Sequence, residues 1–438
     1  MVAPTYWLET LGCAKNQVDS EKVQVLLTEA GYGIAQAPGS ADVVLVNTCA
    51  FIEEARRESV QTILSLSDQK KPGARTVVLG CMAQRFGIEV QEALPEVDSV
   101  LGLDRYSELV GVMDALTTGP HWRPVRLRKP LMDILHVVNR PSPTTPFAYV
   151  KVAEGCDKPC TFCAIPLIRG KQRSRRPQNV VAEVEGLVSA GVSEVVLVAQ
   201  DLAAYGRDID AAGDITDLVR LVGAVPGLRM VRLLYLYPRE IKPRLIEEMT
   251  TNSKVAPYFD LSLQHASQRL LRSMKRAGGS VRYLQLIETI READPEAALR
   301  SSFIVGFPGE TEDDVSELAS FLEAAALDWA GFFPYSAEEG TAAANLPSDL
   351  DEYEVAERLR YLHGVQEGIT ASASLDQIGR RHGVLVDQFE DGIAVGRSYR
   401  QAPEIDGVII LDRGTPGEWL QVEIVAALGS DLEGVVLR

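Results

Sequence analysis

Basic charge, histidine and long apolar runs are all scarce in this chain. Its 438 residues hold 44 Lys and Arg against 61 Asp and Glu, a formal net charge of −17, and 5 His. A nucleic-acid grip needs a basic face that releases counterions, so an acidic chain suits a basic macromolecule better; solubility is the plainer use of the same charge. No run of 18 or more apolar residues occurs, and a membrane-spanning helix is not expected. The opening MVAPTYWLETLGC has no basic stretch leading into an apolar one, and Glu9 interrupts what apolar run there is. It predicts no secretory leader and a reducing, cytoplasmic setting. Cysteine is scarce too, at positions 13, 49, 81, 156, 160 and 163. Thiols stay reduced in such a setting, where clustered cysteines more often bind metal than pair. These fall into two sets of three.

Strand-like and helix-like stretches alternate through residues 1–138. TYWLETLG, ADVVLVNTC and ARTVVLGC read as apolar strands separated by helical segments such as DSEKVQVLLTEAGY. Each strand ends at a cysteine: Cys13, Cys49 and Cys81. Carboxyl ends of parallel strands share one edge of a sheet, so a Rossmann-like α/β domain would gather the three there. The Pro-rich NRPSPTTPFAY marks a linker, and residues 139–372 carry a second series of about six strands with helices between them. Six is fewer than a closed barrel needs, which predicts a partial (β/α)6 barrel of the TIM type. A long helix, DEYEVAERLRYLHGVQEGITASASL, closes it. Residues 373–438 change to short alternating strands with Gly or Asp turns, predicting a small OB-like antiparallel β-barrel.

EGCDKPCTFCAIP places Cys156, Cys160 and Cys163 as C-x3-C-x2-C just after a strand. Three thiolates on one loop can hold three irons of a cubane and leave the fourth open. Zinc is the rival reading, but structural zinc wants a fourth Cys or His, and none lies near in sequence. The motif resembles the radical S-adenosylmethionine superfamily, whose open iron chelates S-adenosylmethionine so that an electron can cleave it to a 5′-deoxyadenosyl radical. SSFIVGFPGE resembles the strand in which Ile304, Val305 and Gly306 pass close to the adenine; a plain buried strand is the competing reading. GKQRSRRP brings Lys171, Arg173, Arg175 and Arg176, which could neutralise a carboxylate or the cluster, or be a solvated basic loop. Gln200 and Asp201 end the next strand, where polar side chains would face a bound nucleoside. His265 in LQHAS is either a proton relay or structural.

Spacing alone says little about Cys13, Cys49 and Cys81, and buried cysteines in a Rossmann-like core would explain them. With the rest of the chain, however, they resemble the methylthiotransferase family, in which an N-terminal three-cysteine domain holds an auxiliary cluster and a TRAM domain ends the chain. The resemblance implies two [4Fe–4S] clusters and S-adenosylmethionine as cofactors, with sulfur carried on the auxiliary cluster. It also implies an electron donor such as flavodoxin or ferredoxin, and monomer is the default state. One group of this family modifies a tRNA adenosine, the other the β-carbon of an aspartate in small-subunit ribosomal protein S-twelve. LGCAKNQVDSE resembles the second group through Lys15, Asn16, Asp19, Ser20 and Glu21; the first usually has GCQMN there. QDLAAYGRD resembles it through Gln200, Asp201, Tyr205, Gly206 and Asp208. Ala14, Leu202 and Lys158–Pro159 depart from the common pattern without removing a ligand. From Leu375 onward there are 6 Arg, no Lys and 11 Asp plus Glu, a formal charge of −5 that favours a basic protein over RNA. The expectation is therefore the ribosomal-protein enzyme; the rivals are the tRNA enzyme and a non-catalytic iron–sulfur carrier.

Overall fold

Every residue of VVLVNT (43–48) is buried, as suits a strand covered on both faces, and it forms the middle of a parallel sheet. The computed structural model describes residues 3–118, 133–210 and 213–437. Strands β1 (Thr5–Thr10), β2 (Gly33–Ile34), β3 (Val43–Thr48), β4 (Arg75–Leu79) and β5 (Ser99–Leu101) pair in the order β2-β1-β3-β4-β5. All four pairings are parallel. Helices α1 (Ala14–Glu29), α2 (Glu53–Gln69) and α3 (Gly80–Ala93) follow β1, β3 and β4, so the three strand-to-helix turns open on one edge. Helix α4 (Leu109–Thr118) completes the domain.

The second series has six main strands: β6 (Phe147–Lys151), β9 (Glu194–Val198), β10 (Met230–Leu233), β11 (Tyr258–Gln264), β12 (Ala298–Val305) and β13 (Trp329–Pro334). A short antiparallel ladder, β7 (Ala153–Glu154) with β8 (Arg173–Ser174), flanks the cysteine loop. Around them run α5 (Ile165–Arg169), α6 (Pro177–Ser189), α7 (Ile215–Gly223), α8 (Pro243–Thr251), α9 (Gln268–Ser273), α10 (Ser280–Ala293), α11 (Glu312–Ala325) and α12 (Glu352–Leu375). The six strands hydrogen-bond as two parallel triplets, β10-β9-β6 and β11-β12-β13, rather than one continuous sheet. Tyr235 and Gln264, at φ 63° and 72°, leave the extended region where β10 and β11 end, and pairing along this seam is reduced to isolated bridges.

The partial barrel is filled from both neighbours. Its inner strand faces (Tyr149, Val196, Val198, Tyr258, Ala298) pack in one apolar cluster with Val18 of α1 and Ala402 of the C-terminal domain. That last domain is a closed barrel of β14 (Arg381–Glu390), β15 (Ile393–Arg397), β16 (Ile409–Leu411), β17 (Trp419–Leu428) and β18 (Asp431–Val436), with every pairing antiparallel except β16 with β18. It seats on the amino-terminal ends of the partial-barrel strands. Glu194, the first residue of β9, is fully buried between Arg232 of β10 and Arg397 of β15, 2.8 Å from each. Arg400 pairs with Asp328, and Trp419 Nε1 donates to Ser193 Oγ at 3.1 Å. The opposite, carboxyl ends of the strands carry the cysteine loop. Among the described residues no helix is long and apolar enough to cross a membrane.

Replacing Glu194 with alanine leaves Arg232 and Arg397 facing each other without their shared carboxylate in a dry interface. A stability loss of about 3–5 kcal/mol is expected from breaking such a buried pair. Urea denaturation of the iron-free protein followed by fluorescence measures it, and an unchanged midpoint contradicts the assignment.

Candidate functional site

Two LGC turns bring the N-terminal cysteines toward one another. Gly12 and Gly80 have φ of 93° and 90°, a region that a side chain rarely tolerates. A Cβ at Gly12 would lie 2.8 Å from Cys49 Cβ and 3.0 Å from its Sγ, so the turn before Cys13 presses on Cys49. A Cβ at Gly80 would overlap Asn47 and the Thr48 backbone, which sets the turn before Cys81 against the one before Cys49. Cys13 is the N-cap of α1, Cys49 follows β3 directly, and Cys81 lies in the first turn of α3. The three turns foreseen from sequence thus meet at one edge.

Arg169, which follows the second cysteine set in sequence, reaches this edge. It ends α5, six residues after Cys163, and is buried. Its guanidinium donates to Cys81 Sγ at 3.2 Å, Asn16 Oδ1 at 2.6 Å, Asp19 Oδ2 at 3.2 Å and Glu154 Oε1 at 2.7 Å. Lys151 pairs with both Asp19 and Glu154. Burial works against ionisation of Glu154, but Arg169 and Lys151 overcome it and hold its carboxyl well below the usual range. Gln200 Nε2 donates to the same Glu154 oxygen at 2.9 Å. Asn16 also donates from Nδ2 to Leu11 O and Thr48 O, tying two of the cysteine turns together.

On the other side, the backbone N–H of Lys158 points at Cys156 Sγ at 3.5 Å, and Arg276 donates to Cys160 Sγ at 3.5 Å. Both cations lie on the ring of Tyr237, in the segment that follows β10. Lys158 also pairs with Asp201 and Glu240. Burial pushes the Cys156 thiol up to about 11 and those of Cys163 and Cys81 up to about 12. Burial likewise raises Cys49. Cys13 is the exception: burial raises it, but Lys15, Arg169 and the backbone N–H groups of Asn16 and Lys15 together outweigh burial, and its thiol is held below the ordinary value.

Among the described residues no group of three or more His, Cys, Asp or Glu is drawn close enough to hold a single metal ion. Each set offers thiols, with a guanidinium on Cys81 Sγ in the first and an N–H and a guanidinium on Cys156 and Cys160 Sγ in the second. That donor set suits an iron–sulfur cluster, whose sulfurs take hydrogen bonds and whose charge such cations balance.

Other residues singled out in the sequence divide into two kinds. Glu154 faces Arg173 across the β7–β8 ladder, so Arg173 and Gln200 both reach the linking network. Ile304 is partly buried, Val305 packs its side chain into the outer core, and the Gly306 N–H donates to Glu310 Oε2 at 3.0 Å. His265 is buried, accepts from Ser267 N and stands 3.5 Å from Glu310. Arg175 pairs with Glu183 away from the cysteines, while Lys171 and Arg176 are exposed. Ser20 accepts from Asn47, and Glu21 pairs with Arg140 of the linker, so both are scaffold. Asp208 and Gly206 clamp Ser174 of β8. Arg169, Lys151, Glu154 and Arg276 were not foreseen. Lys151 and Glu154, opposite charges in the apolar strand FAYVKVAE, were the available signal of a buried pair.

In the iron-free protein, iodoacetamide at pH 7 is expected to label Cys13, partly exposed and acidified, at least ~10-fold faster than Cys81. Peptide mass mapping over time measures this, and equal rates contradict it.

Three family profiles match the chain: the uncharacterized protein family UPF0004 over residues 5–102, the radical SAM superfamily over 150–322, and the TRAM domain over 378–437. A protein of Saccharopolyspora erythraea named ribosomal protein uS12 methylthiotransferase RimO is 40% identical, covering 97% of this chain and 93% of its own. One of the same name from an Anaeromyxobacter species is 41% identical, covering 100% and 94%. Among solved structures, the radical S-adenosylmethionine methyltransferase TsrM of Kitasatospora setae, with cobalamin and a [4Fe–4S] cluster bound, superposes with a TM-score of 0.55. It is 14% identical and covers 90% of this chain and 77% of its own, a likeness of fold. With full-length relatives at this identity, the chain belongs to the RimO family of methylthiotransferases within the radical S-adenosylmethionine superfamily.

Proposed function

We propose that this protein attaches a methylthio group to the β-carbon of an aspartate in ribosomal protein uS12. The observation that carries the reading is Arg169, which follows the second cysteine set by six residues and reaches Cys81 of the first through one buried network. Cys156, Cys160 and Cys163 would hold the radical cluster with S-adenosylmethionine, and Cys13, Cys49 and Cys81 the auxiliary cluster. When bound, these groups supply the radical that removes hydrogen from carbon and the sulfur that takes its place.

The chain's own residues arrange that chemistry. Arg169 and Arg276 each direct a guanidinium at a cysteine sulfur, which favours the thiolate a metal ligand must be. Lys151, Asp19 and Glu154 fix Arg169 from three sides, and Gln200 fixes Glu154. The apolar cluster beneath, with Val18 and Ala402 as plugs, keeps water from entering through the barrel floor. Ile304 and Gly306 border the strand end where the adenine of S-adenosylmethionine would lie.

A basic protein substrate fits the charge of the C-terminal barrel better than tRNA does. Two of its arginines, Arg397 and Arg400, and two of its aspartates, Asp387 and Asp406, are turned inward into ion pairs, so its outer surface keeps the acidic balance of its composition. That surface lies at the end of the barrel away from the cysteine loop, an arrangement suited to holding the body of a partner while one of its loops reaches the site. The reading includes a cytoplasmic monomer that takes electrons from a small flavodoxin- or ferredoxin-like protein.

Anaerobic incubation of the reconstituted enzyme with S-adenosylmethionine, a sulfide source, a reductant and uS12 should add about 46 Da, the mass of CH2S, to one aspartate. Tandem mass spectrometry reads it. An unmodified uS12 alongside a methylthiolated tRNA adenosine contradicts the proposal, and absence of any 5′-deoxyadenosine marks a carrier.

A further inference from the structure

In a chain of net charge −17, residues 261–287 carry five Lys and Arg (Arg269, Arg272, Lys275, Arg276 and Arg282) and no Asp or Glu. Two of the five are matched: Arg269 pairs with Asp314, and Arg276 donates to Cys160 Sγ at 3.5 Å and to the Ser262 carbonyl. Arg272, Lys275 and Arg282 are exposed, and among the described residues none has a carboxylate within ion-pair distance. Arg272 and Lys275 share the turn that ends α9. There Lys275 takes a left-handed φ of 53°, its N–H donates to Arg272 O at 3.0 Å, and Arg276 N donates to Leu271 O at 2.8 Å, the two bonds of a Schellman cap.

This turn is stitched to the cysteine loop. Thr161, which directly follows Cys160, donates from its N–H to Met274 O at 3.2 Å and from Oγ1 to Ser273 O at 2.9 Å. Its own carbonyl accepts from Ala343 N at 2.9 Å, which brings in the loop after β13. That loop presents Leu346, 41% exposed, and its Gly340 abuts Leu167 of α5, 58% exposed: a Cβ at Gly340 would lie 2.9 Å from Leu167 Cδ1. Glu339 is the exposed acid between residues 336 and 346. Two unmatched cations and two apolar side chains are thus held at the surface by segments that meet at the cysteine loop.

Unmatched cations on one rim of an acidic protein attract and steer an acidic partner, and apolar side chains beside them give the contact its packing. An electron for the radical cluster must come from outside, and its transfer slows steeply with distance, so a donor gains by docking close to a cysteine ligand. From Lys275 the chain passes directly to Arg276, whose guanidinium reaches Cys160 Sγ. We infer that the turn of Arg272 and Lys275, with Leu167 and Leu346, is the docking surface for the acidic one-electron carrier protein that reduces the radical cluster. This rests on the electron donor included in the proposed function. The carrier loses one electron, the cluster gains it, and no atom changes hands. The turn follows the carboxyl end of β11, whereas the acidic C-terminal barrel lies at the amino ends, so an acidic donor and a basic substrate are received on different surfaces.

Labelled flavodoxin, an acidic carrier, titrated with the anaerobically reconstituted enzyme and followed by fluorescence anisotropy, tests this. Affinity should fall at least ~10-fold between low salt and ~0.3 M salt. The double variant Arg272→Glu, Lys275→Glu should bind at least ~30-fold more weakly at low salt. Stopped-flow absorbance then reads reduction of the cluster. Reduced flavodoxin should reduce the variant at least ~10-fold more slowly than the wild type, whereas dithionite, a small reductant that needs no docking surface, should reduce both at the same rate. A variant that binds flavodoxin and accepts its electron like the wild type overturns the inference; if it loses affinity for a ribosomal RNA fragment instead, the cations serve phosphates. Equal slowing with dithionite also overturns it, assigning the turn to the cluster itself. A wild type that dithionite reduces but that binds neither flavodoxin nor a ferredoxin removes the proposed donor, and this inference with it.

Discussion

A single buried guanidinium carries the geometry of this molecule. Arg169 belongs to the cysteine loop of the radical domain, yet it binds a sulfur, an amide and a carboxylate of the N-terminal domain. Buried ion networks add little net stability, because desolvation cancels most of the attraction. Their strength is intolerance: any shift of α1 against β7 would leave Asp19, Glu154 or Arg169 uncompensated in a dry interior. The network therefore defines one docking pose of the N-terminal domain against the partial barrel.

The pose is backed by packing from the far end. An incomplete barrel has an open side and an open floor, and here the side is closed by Val18 of α1 and the floor by Ala402. The interior cluster thus belongs to all three domains at once, and no domain can be removed without opening it. The cysteine loop sits at the carboxyl ends of the strands and the acidic barrel at the amino ends, so the two lie at opposite ends of the partial barrel.

Much of this was legible before any coordinates. Apolar runs ending at Cys13, Cys49 and Cys81 announce strands whose carboxyl ends converge, and six βα units announce a partial barrel, because period and burial agree in those segments. The split of the barrel into two triplets was not legible, since it depends on left-handed φ at Tyr235 and Gln264, which no pattern of residue types encodes. Helix α1 misleads in another way: Lys15, Asn16, Asp19, Ser20 and Lys22 are buried there, so its polar face is the inner one. Polar residues that resembled a substrate signature are, for Asn16, Asp19 and Glu21, parts of the interdomain joint, while Ser20 braces the N-terminal domain from within.

The central claim is that two separate thiol triads each hold a cluster at one shared mouth. Iron analysis after anaerobic reconstitution tests it most directly. The account predicts about eight irons per chain, falling to about four, with the remaining signal still responsive to S-adenosylmethionine, when Cys13, Cys49 and Cys81 are changed to alanine. About four irons in the unaltered chain, or a full load surviving the triple substitution, would contradict it.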